Sequence, residues 1–268
     1  MPSLTRFLKP RNYLNKFIDY RHNVNHYFGR ESIVTTNYKG IDIKFSTSNY
    51  VEYIMRAKNS YTAEKSTMYW IDNYIKKDDV VYDIGANVGA YSLLIGKKMK
   101  MLNGTGQVYA IEPESLNFAK LNINTHINDL CSFVKPLCMS IGDNISILDL
   151  NITDFMPGAS RSFQDSSGVH TQLSYSTTID NLSFMEGMKF PNHIKIDVDG
   201  LEWLIVQHME KTMEKTMEDQ RLKTIVVEVN EGRDLTLHLI DAYGFEYVTH
   251  DKWVNGGKEV HNILFARD

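Results

Sequence analysis

The densest chemistry in the sequence lies in Asp83-Ile84-Gly85-Ala86-Asn87-Val88-Gly89, a carboxylate followed by a Gly-x-x-x-Gly turn. At a strand-to-helix junction, Gly85 lets the chain turn tightly and a ligand approach the backbone, while Gly89 lets the helix pack closely where it begins. Asp83 can accept a hydrogen bond from a ligand ammonium group. Glu112, in Ile111-Glu112-Pro113, follows at the end of the next strand-like run. An acid in that place can bind both hydroxyls of a ribose. Together the two sites point to an adenosine-containing ligand. The Gly-x-Gly-x-x-Gly dinucleotide fingerprint is not met, because Asn87 stands at its middle position, and no Gly-Lys-Ser/Thr phosphate loop occurs.

A second constellation lies further along. The run Asn192 to Asp197 reads as a central strand, which should be nearly all apolar, yet His193, Lys195 and Asp197 alternate onto one of its faces. A structural ion pair accounts for Lys195 as well as a functional role does. Asp197 sits at the strand's carboxyl end, where ligands of open α/β sheets bind. Glu228 occupies the matching end of the next strand and Glu202 lies a turn into the following helix, so several carboxylates can face one pocket. A divalent ion on Asp197 with Glu202 or Glu228 is compatible by ligand type, but no fixed metal spacing is present and none is assigned. His170 belongs to an irregular, Gly- and Ser-rich segment that can cover a substrate.

The elements that must position these residues follow from periodicity. Residues 32–46 alternate around Lys39-Gly40 as a β-hairpin, and residues 63–76 carry a helical stripe. From Val80 the chain runs strand, helix, strand, helix. Pro136 places the third strand, Phe133 to Met139, at the sheet edge. Ile145 to Leu150 and Thr171 to Thr177 are extended, Ile179 to Met185 is helical, and Thr224 to Val229 is a strong strand. The helix after Gly200 should continue through the tandem Met-Glu-Lys-Thr of 209–216 as a solvated helix. A helix from Leu235 to Tyr243 precedes two closing strands, Phe245 to Thr249 and Asn262 to Ala266. Repeated βα units predict a doubly wound, mostly parallel α/β sheet with helices on both faces. The closing β-loop-β adds an antiparallel strand, which separates this pattern from that of NAD dehydrogenases.

Four motifs, Asp-Ile-Gly-Ala-Asn-Val-Gly (83–89), Ile-Glu-Pro (111–113), Thr-Ile-Asp-Asn-Leu (178–182) and Ile-Lys-Ile-Asp-Val-Asp-Gly-Leu-Glu (194–202), resemble in order and spacing those of the FkbM-type methyltransferases. The resemblance spans roughly residues 60–268, with Asp199 where the family usually has Glu and Leu201 where it usually has Ala. It implies a class I, Rossmann-like fold with a seven-stranded sheet, S-adenosylmethionine as cofactor, and O-methylation of sugars or natural-product hydroxyls. Carried over by residue, Asp83, Gly85, Ala86, Asn87 and Gly89 would line the methionine end. Glu112 with Pro113 would hold the ribose, and Ser140 would approach the adenine. A sugar hydroxyl is a poor nucleophile until its proton is taken. Asp197 is the first candidate for that base and His170 the second, with Lys195, Glu202 and Glu228 around them.

Composition fits an ordinary globular chain: 268 residues, 43% hydrophobic and 23% charged. The net charge of -4 argues against nucleic acid as partner, and no apolar run is long enough to cross a bilayer. Cys131 and Cys138 read as reduced, partly buried thiols of a cytoplasmic protein. Residues 1–60 form an N-terminal extension and 61–268 the cofactor-binding domain. Within 1–30, Arg6, Lys9, Arg11, Lys16, Arg21 and Arg30 face only Asp19, and Tyr13, Phe17, Tyr20, Val24 and Phe28 recur at helical spacing. Such a helix can dock on the domain, pair two subunits, or touch an anionic membrane surface. An NAD-dependent oxidoreductase and a non-catalytic S-adenosylmethionine-binding scaffold remain the competing readings.

Overall fold

The computed structural model describes residues 30–159, 170–198, 200–229, 233–255 and 258–267. All but Arg30 of the expected basic helix of residues 1–30, Asp199 and the Gly256-Gly257 loop lie outside the described residues.

A hairpin, β1 (Ser32–Tyr38) and β2 (Ile41–Thr47), comes first. Lys39 and Gly40 at its turn both have positive φ, 49° and 87°, the twist that a two-residue hairpin turn requires. A π-helical segment (Glu52–Lys58), a short helix (Ser60–Ala63) and a longer one (Lys65–Asn73) lead into the main sheet. Its strands are β3 (Val80–Ile84), β4 (Gln107–Ile111), β5 (Val134–Leu137), β9 (His193–Ile196), β10 (Thr224–Val229), β11 (Glu246–Asn255) and β12 (Lys258–Ala266). They run in the spatial order β11-β12-β10-β9-β3-β4-β5. The five strands from β10 to β5 are mutually parallel, and β12 enters antiparallel between β10 and β11. Pro136 lies on the edge strand β5, where its missing N–H disturbs no central ladder.

Side-chain alternation divides the interior into two layers. Val81, Val108, Ala110, Val226 and Leu264 face the helices Lys65–Asn73 and Ala90–Met101 together with the hairpin residues Val34, Ile43 and Phe45. Tyr82, Ile84, Ile194, Ile196, Ile225 and Val227 face the opposite helices through Leu182, Ile205, Val206, Met209, Met213 and Leu239. Because β9 shares this period of two, its polar residues all enter the first layer. At the amino ends of the strands that layer is closed by buried His193, whose Nδ1 lies 2.6 Å from Thr224 Oγ1 and whose Nε2 lies 2.9 Å from Asp79 Oδ2. Trp70 Nε1 donates to the same Thr224 oxygen. The hydroxyl therefore donates to Nδ1 and His193 is the Nε2–H tautomer.

The two extended runs after β5 form a sheet of their own: β7 (Ser146–Ile152) and β8 (His170–Thr177) make a separate three-stranded sheet with the short β6 (Ser140–Ile141). Two expectations are corrected. The Met-Glu-Lys-Thr repeat does not extend the preceding helix, which ends at Gln207; a new helix begins at Glu210 and buries Thr212, Met213 and Thr216. Both cysteines are exposed rather than partly buried.

Candidate active site

The loop leaving β3 is held from both sides. Gly85 and Ala86 both donate their N–H groups to the Ile111 carbonyl at the end of β4, each at 3.0 Å, and Asp197 N–H donates to the Ile84 carbonyl at 3.0 Å. Gly85 has φ +83°, and a Cβ there would lie 1.7 Å from the Asp197 carbonyl oxygen. No other residue fits. Asn87 adopts φ 51°, which asparagine tolerates better than most. Gly89, with φ +93°, begins the helix Ala90–Met101 at a point where a Cβ would press within 2.5 Å of Leu121.

Glu112 turns back toward this loop. Its Oε2 accepts the Asn87 N–H at 2.8 Å and its Oε1 the Glu114 N–H at 3.0 Å. Burial pushes its carboxyl up to about 7, and those two N–H groups only partly oppose the shift. Glu114 caps the helix Ser115–Ile127 by accepting from Leu116 and Asn117 N–H. The Pro113 carbonyl accepts from Gln172 Nε2 at 2.7 Å, which ties the small sheet to the end of β4. Pro157 to Ala159 cross the same region: Asn87 Nδ2 donates to the Ala159 carbonyl at 3.1 Å and Gly158 N–H to Asn117 Oδ1 at 2.7 Å. Ser140 is buried with its hydroxyl 2.9 Å from that of Ser174.

Beside the loop stands a charged cluster. Lys195, only 1% exposed, pairs with Asp197, and its ammonium lies 5.2 Å from the centre of the Tyr91 ring. Burial pulls the ammonium down, but Asp197, Glu64 and Asp83 outweigh it and hold its pKa above the ordinary lysine value. Lys195 is therefore a fixed positive charge, not a base. Asp83 accepts from Ser92 Oγ through Oδ2, while its buried Oδ1 has no donor among the described residues. Burial raises its carboxyl, against the pull of Lys195 and Ser92. Glu228 follows Val227, the register partner of Ile196, and so stands level with Asp197 one strand away.

The other sequence candidates are placed differently. Glu202 holds the turn after β9: its Oε1 accepts from the N–H groups of Val198 at 3.2 Å and Gly200 at 3.0 Å, and its carboxylate feels the charge of Asp197. His170 is the first residue of β8 rather than a loop residue, exposed and edge-on to Phe155 with ring centroids 5.0 Å apart. Glu64 was not signalled by any motif. It stands between two helices with extended backbone (φ -101°, ψ 90°), where Asp251 accepts the N–H groups of Lys65 and Ser66. Its Oε2 accepts from Thr67 Oγ1 at 2.9 Å and Asn262 Nδ2 at 3.1 Å. Its position opposite Lys195 exists only in the folded chain, and no local pattern encodes it.

A parallel sheet with this strand order, an antiparallel penultimate strand and a ligand turn after its central strand defines a Rossmann-like fold of the class I methyltransferase type. The chain belongs to the FkbM methyltransferase family, whose domain model matches residues 83–247. No curated protein matches the chain. Solved structures similar to it include the methyltransferase FkbM from Methylobacillus flagellatus KT, at 16% identity and TM-score 0.49. That alignment covers 75% of this chain and 47% of that one, so the chain spans about half the length of this relative. P. horikoshii TYW2 in complex with MeSAdo aligns at 15% identity and TM-score 0.44, over 87% of this chain and 70% of that one. A precorrin-6y methyltransferase from Geobacter metallireducens GS-15 aligns at 14% identity and TM-score 0.44, over 79% and 92%.

Proposed function

We propose that the chain is an S-adenosylmethionine-dependent O-methyltransferase that acts on a hydroxyl of a carbohydrate or related small metabolite, free or within a glycan, in the cytoplasm. The observation that carries this reading is the pairing of Glu112 with the Asn87 N–H across a glycine turn that opens beside a carboxylate cluster. The residues suit the cofactor. Gly85 leaves the backbone open, and the buried Asp83 Oδ1 calls for a donor such as an ammonium group. Glu112 can ionise to accept from a diol. Asp83, Gly85, Ala86, Asn87 and Gly89 would hold the methionine end, Glu112 and Pro113 the ribose, and Ser140 would border the adenine.

When bound, the cofactor supplies an electrophilic methyl group on a sulfonium. The chain's own task is to bring a hydroxyl close and in line, since placement supplies much of the rate of such a displacement, and to remove its proton. Lys195 keeps Asp197 in one orientation, and burial in this layer keeps water away. Proton removal is assigned to a side chain of the cluster.

Calorimetric titration with S-adenosylmethionine, S-adenosylhomocysteine and NAD tests the reading. Micromolar binding of the first two without NAD is expected. Binding of NAD alone overturns it and favours an oxidoreductase.

A further inference from the structure

We propose that Glu64 is the base that receives the acceptor's proton, a role that rests on the methyltransferase reading above. Four groups around Lys195 compete for it, and their environments separate them. Asp83 is 2% exposed and bound to Ser92, at the floor of the cluster. Asp197 is engaged by the Lys195 ammonium through its Oδ2. Tyr91 is itself buried, and its hydroxyl is shared between the Ser60 carbonyl at 3.0 Å and the Glu64 carboxylate. Glu64 is half-buried, and the groups that bond it, Thr67 and Asn262 at Oε2 and the Tyr91 hydroxyl, are all neutral donors.

Glu64 is also held still. Asp251 of β11 fixes the backbone just after it, and Asn262 of β12 fixes its carboxylate. Asn262 is the register partner of Glu228, so Glu64 overhangs the carboxyl ends of β9 and β10. Burial raises its carboxyl while Lys195 restrains that rise, and a raised carboxyl is the better proton acceptor. In the step itself, the acceptor oxygen forms a bond to the methyl carbon as the carbon–sulfur bond breaks with its electron pair moving to sulfur. The hydroxyl proton passes to the Glu64 carboxylate. One positive charge on sulfur and one negative charge on Glu64 disappear together, leaving a methyl ether, a thioether and a neutral acid.

This role has a consequence that needs no acceptor. A base within hydrogen-bonding reach of the attacking hydroxyl must also lie within roughly 8 Å of the sulfonium, closer than a Debye length. Its charge then favours the cationic cofactor over the neutral thioether product. The experiment is calorimetric titration of the full chain and its Glu64→Gln variant with S-adenosylmethionine and S-adenosylhomocysteine. Glu64→Gln should weaken S-adenosylmethionine binding at least ~5-fold and leave S-adenosylhomocysteine within about 2-fold, while Glu64→Asp, which keeps the charge, retains most of the preference. Equal effects on both ligands, or none, overturn the assignment. Should Glu64→Gln not fold, Glu64→Met carries the same expectation. Failure of the underlying reading looks different: the unmodified protein would then bind neither ligand.

Discussion

Glu112 makes cofactor binding a proton-linked event. In the free protein its carboxyl is raised by burial to about 7, even with two peptide N–H groups donating to it. Hydroxyl groups of a ribose donating to the same oxygens favour the charged form and lower that value. Below about pH 7 the free site carries a proton that binding must expel, so affinity should fall toward tenfold per pH unit on acidification and level off above about pH 8. Titrations in buffers of different ionisation enthalpy would register the released proton. Affinity that stays flat across this range would remove Glu112 from the ribose site. Glu112→Gln abolishes the pH dependence and should weaken binding by about 1.5–3 kcal/mol, the worth of hydrogen bonds to a charged group.

At the scale of elements, the site depends on how tightly β3, β4 and β9 are joined at their carboxyl ends. Gly85 is the joint. Alanine there meets a left-handed φ and places a methyl carbon 1.7 Å from the Asp197 carbonyl oxygen, so either the β3 turn or the end of β9 must move. Gly85→Ala should cost more than ~3 kcal/mol, beyond the usual range of single substitutions, and chemical denaturation measures it. A cost under about 1 kcal/mol would mean that the strand ends are not held together as described. The same joint explains what the sequence discloses. Period-two alternation places His193, Lys195 and Asp197 on one face, and the glycine turn lies beside the Glu112 strand because parallel neighbours must bring their ends together. Glu64 is invisible at this level, since only the packing of Lys65–Asn73 against β11 and β12 carries it to Lys195. The break between Gln207 and Glu210 is hidden for a similar reason. Met, Glu and Lys dominate residues 209–218 and favour helix, and burial of Met209 and Met213 against the sheet, not propensity, decides where the helix axis turns. The small sheet is hidden because alternation in β7 and β8 fixes which face is buried but not which strands pair.

For the molecule as a whole, the N-terminal hairpin is part of the structure that shapes the site. Val34, Ile43 and Phe45 belong to the same buried cluster as Trp70, Leu93 and Val226. Polar contacts reinforce that packing where the hairpin crosses the helix Ser115–Ile127: Asn124 Oδ1 accepts the Ser46 N–H at 2.8 Å and Asn128 Oδ1 the Lys44 N–H at 2.9 Å. Asn124 Nδ2 in turn donates to the Val88 carbonyl at 2.9 Å, so one side chain links the hairpin to the cofactor turn. Loss of the hairpin's anchor should therefore reach both stability and binding. Phe45 is 1% exposed, and Phe45→Ala removes a buried ring at a cost of about 3–5 kcal/mol. A single unfolding transition, shifted as a whole, is expected in denaturant. Two transitions would show instead that residues 31–47 fold as an appendage. S-adenosylhomocysteine binding separates the local from the global effect. If the hairpin supports the turn through Asn124, the folded Phe45→Ala protein binds more weakly than the parent under conditions where both are fully native. If the hairpin only adds burial, the folded fractions bind alike.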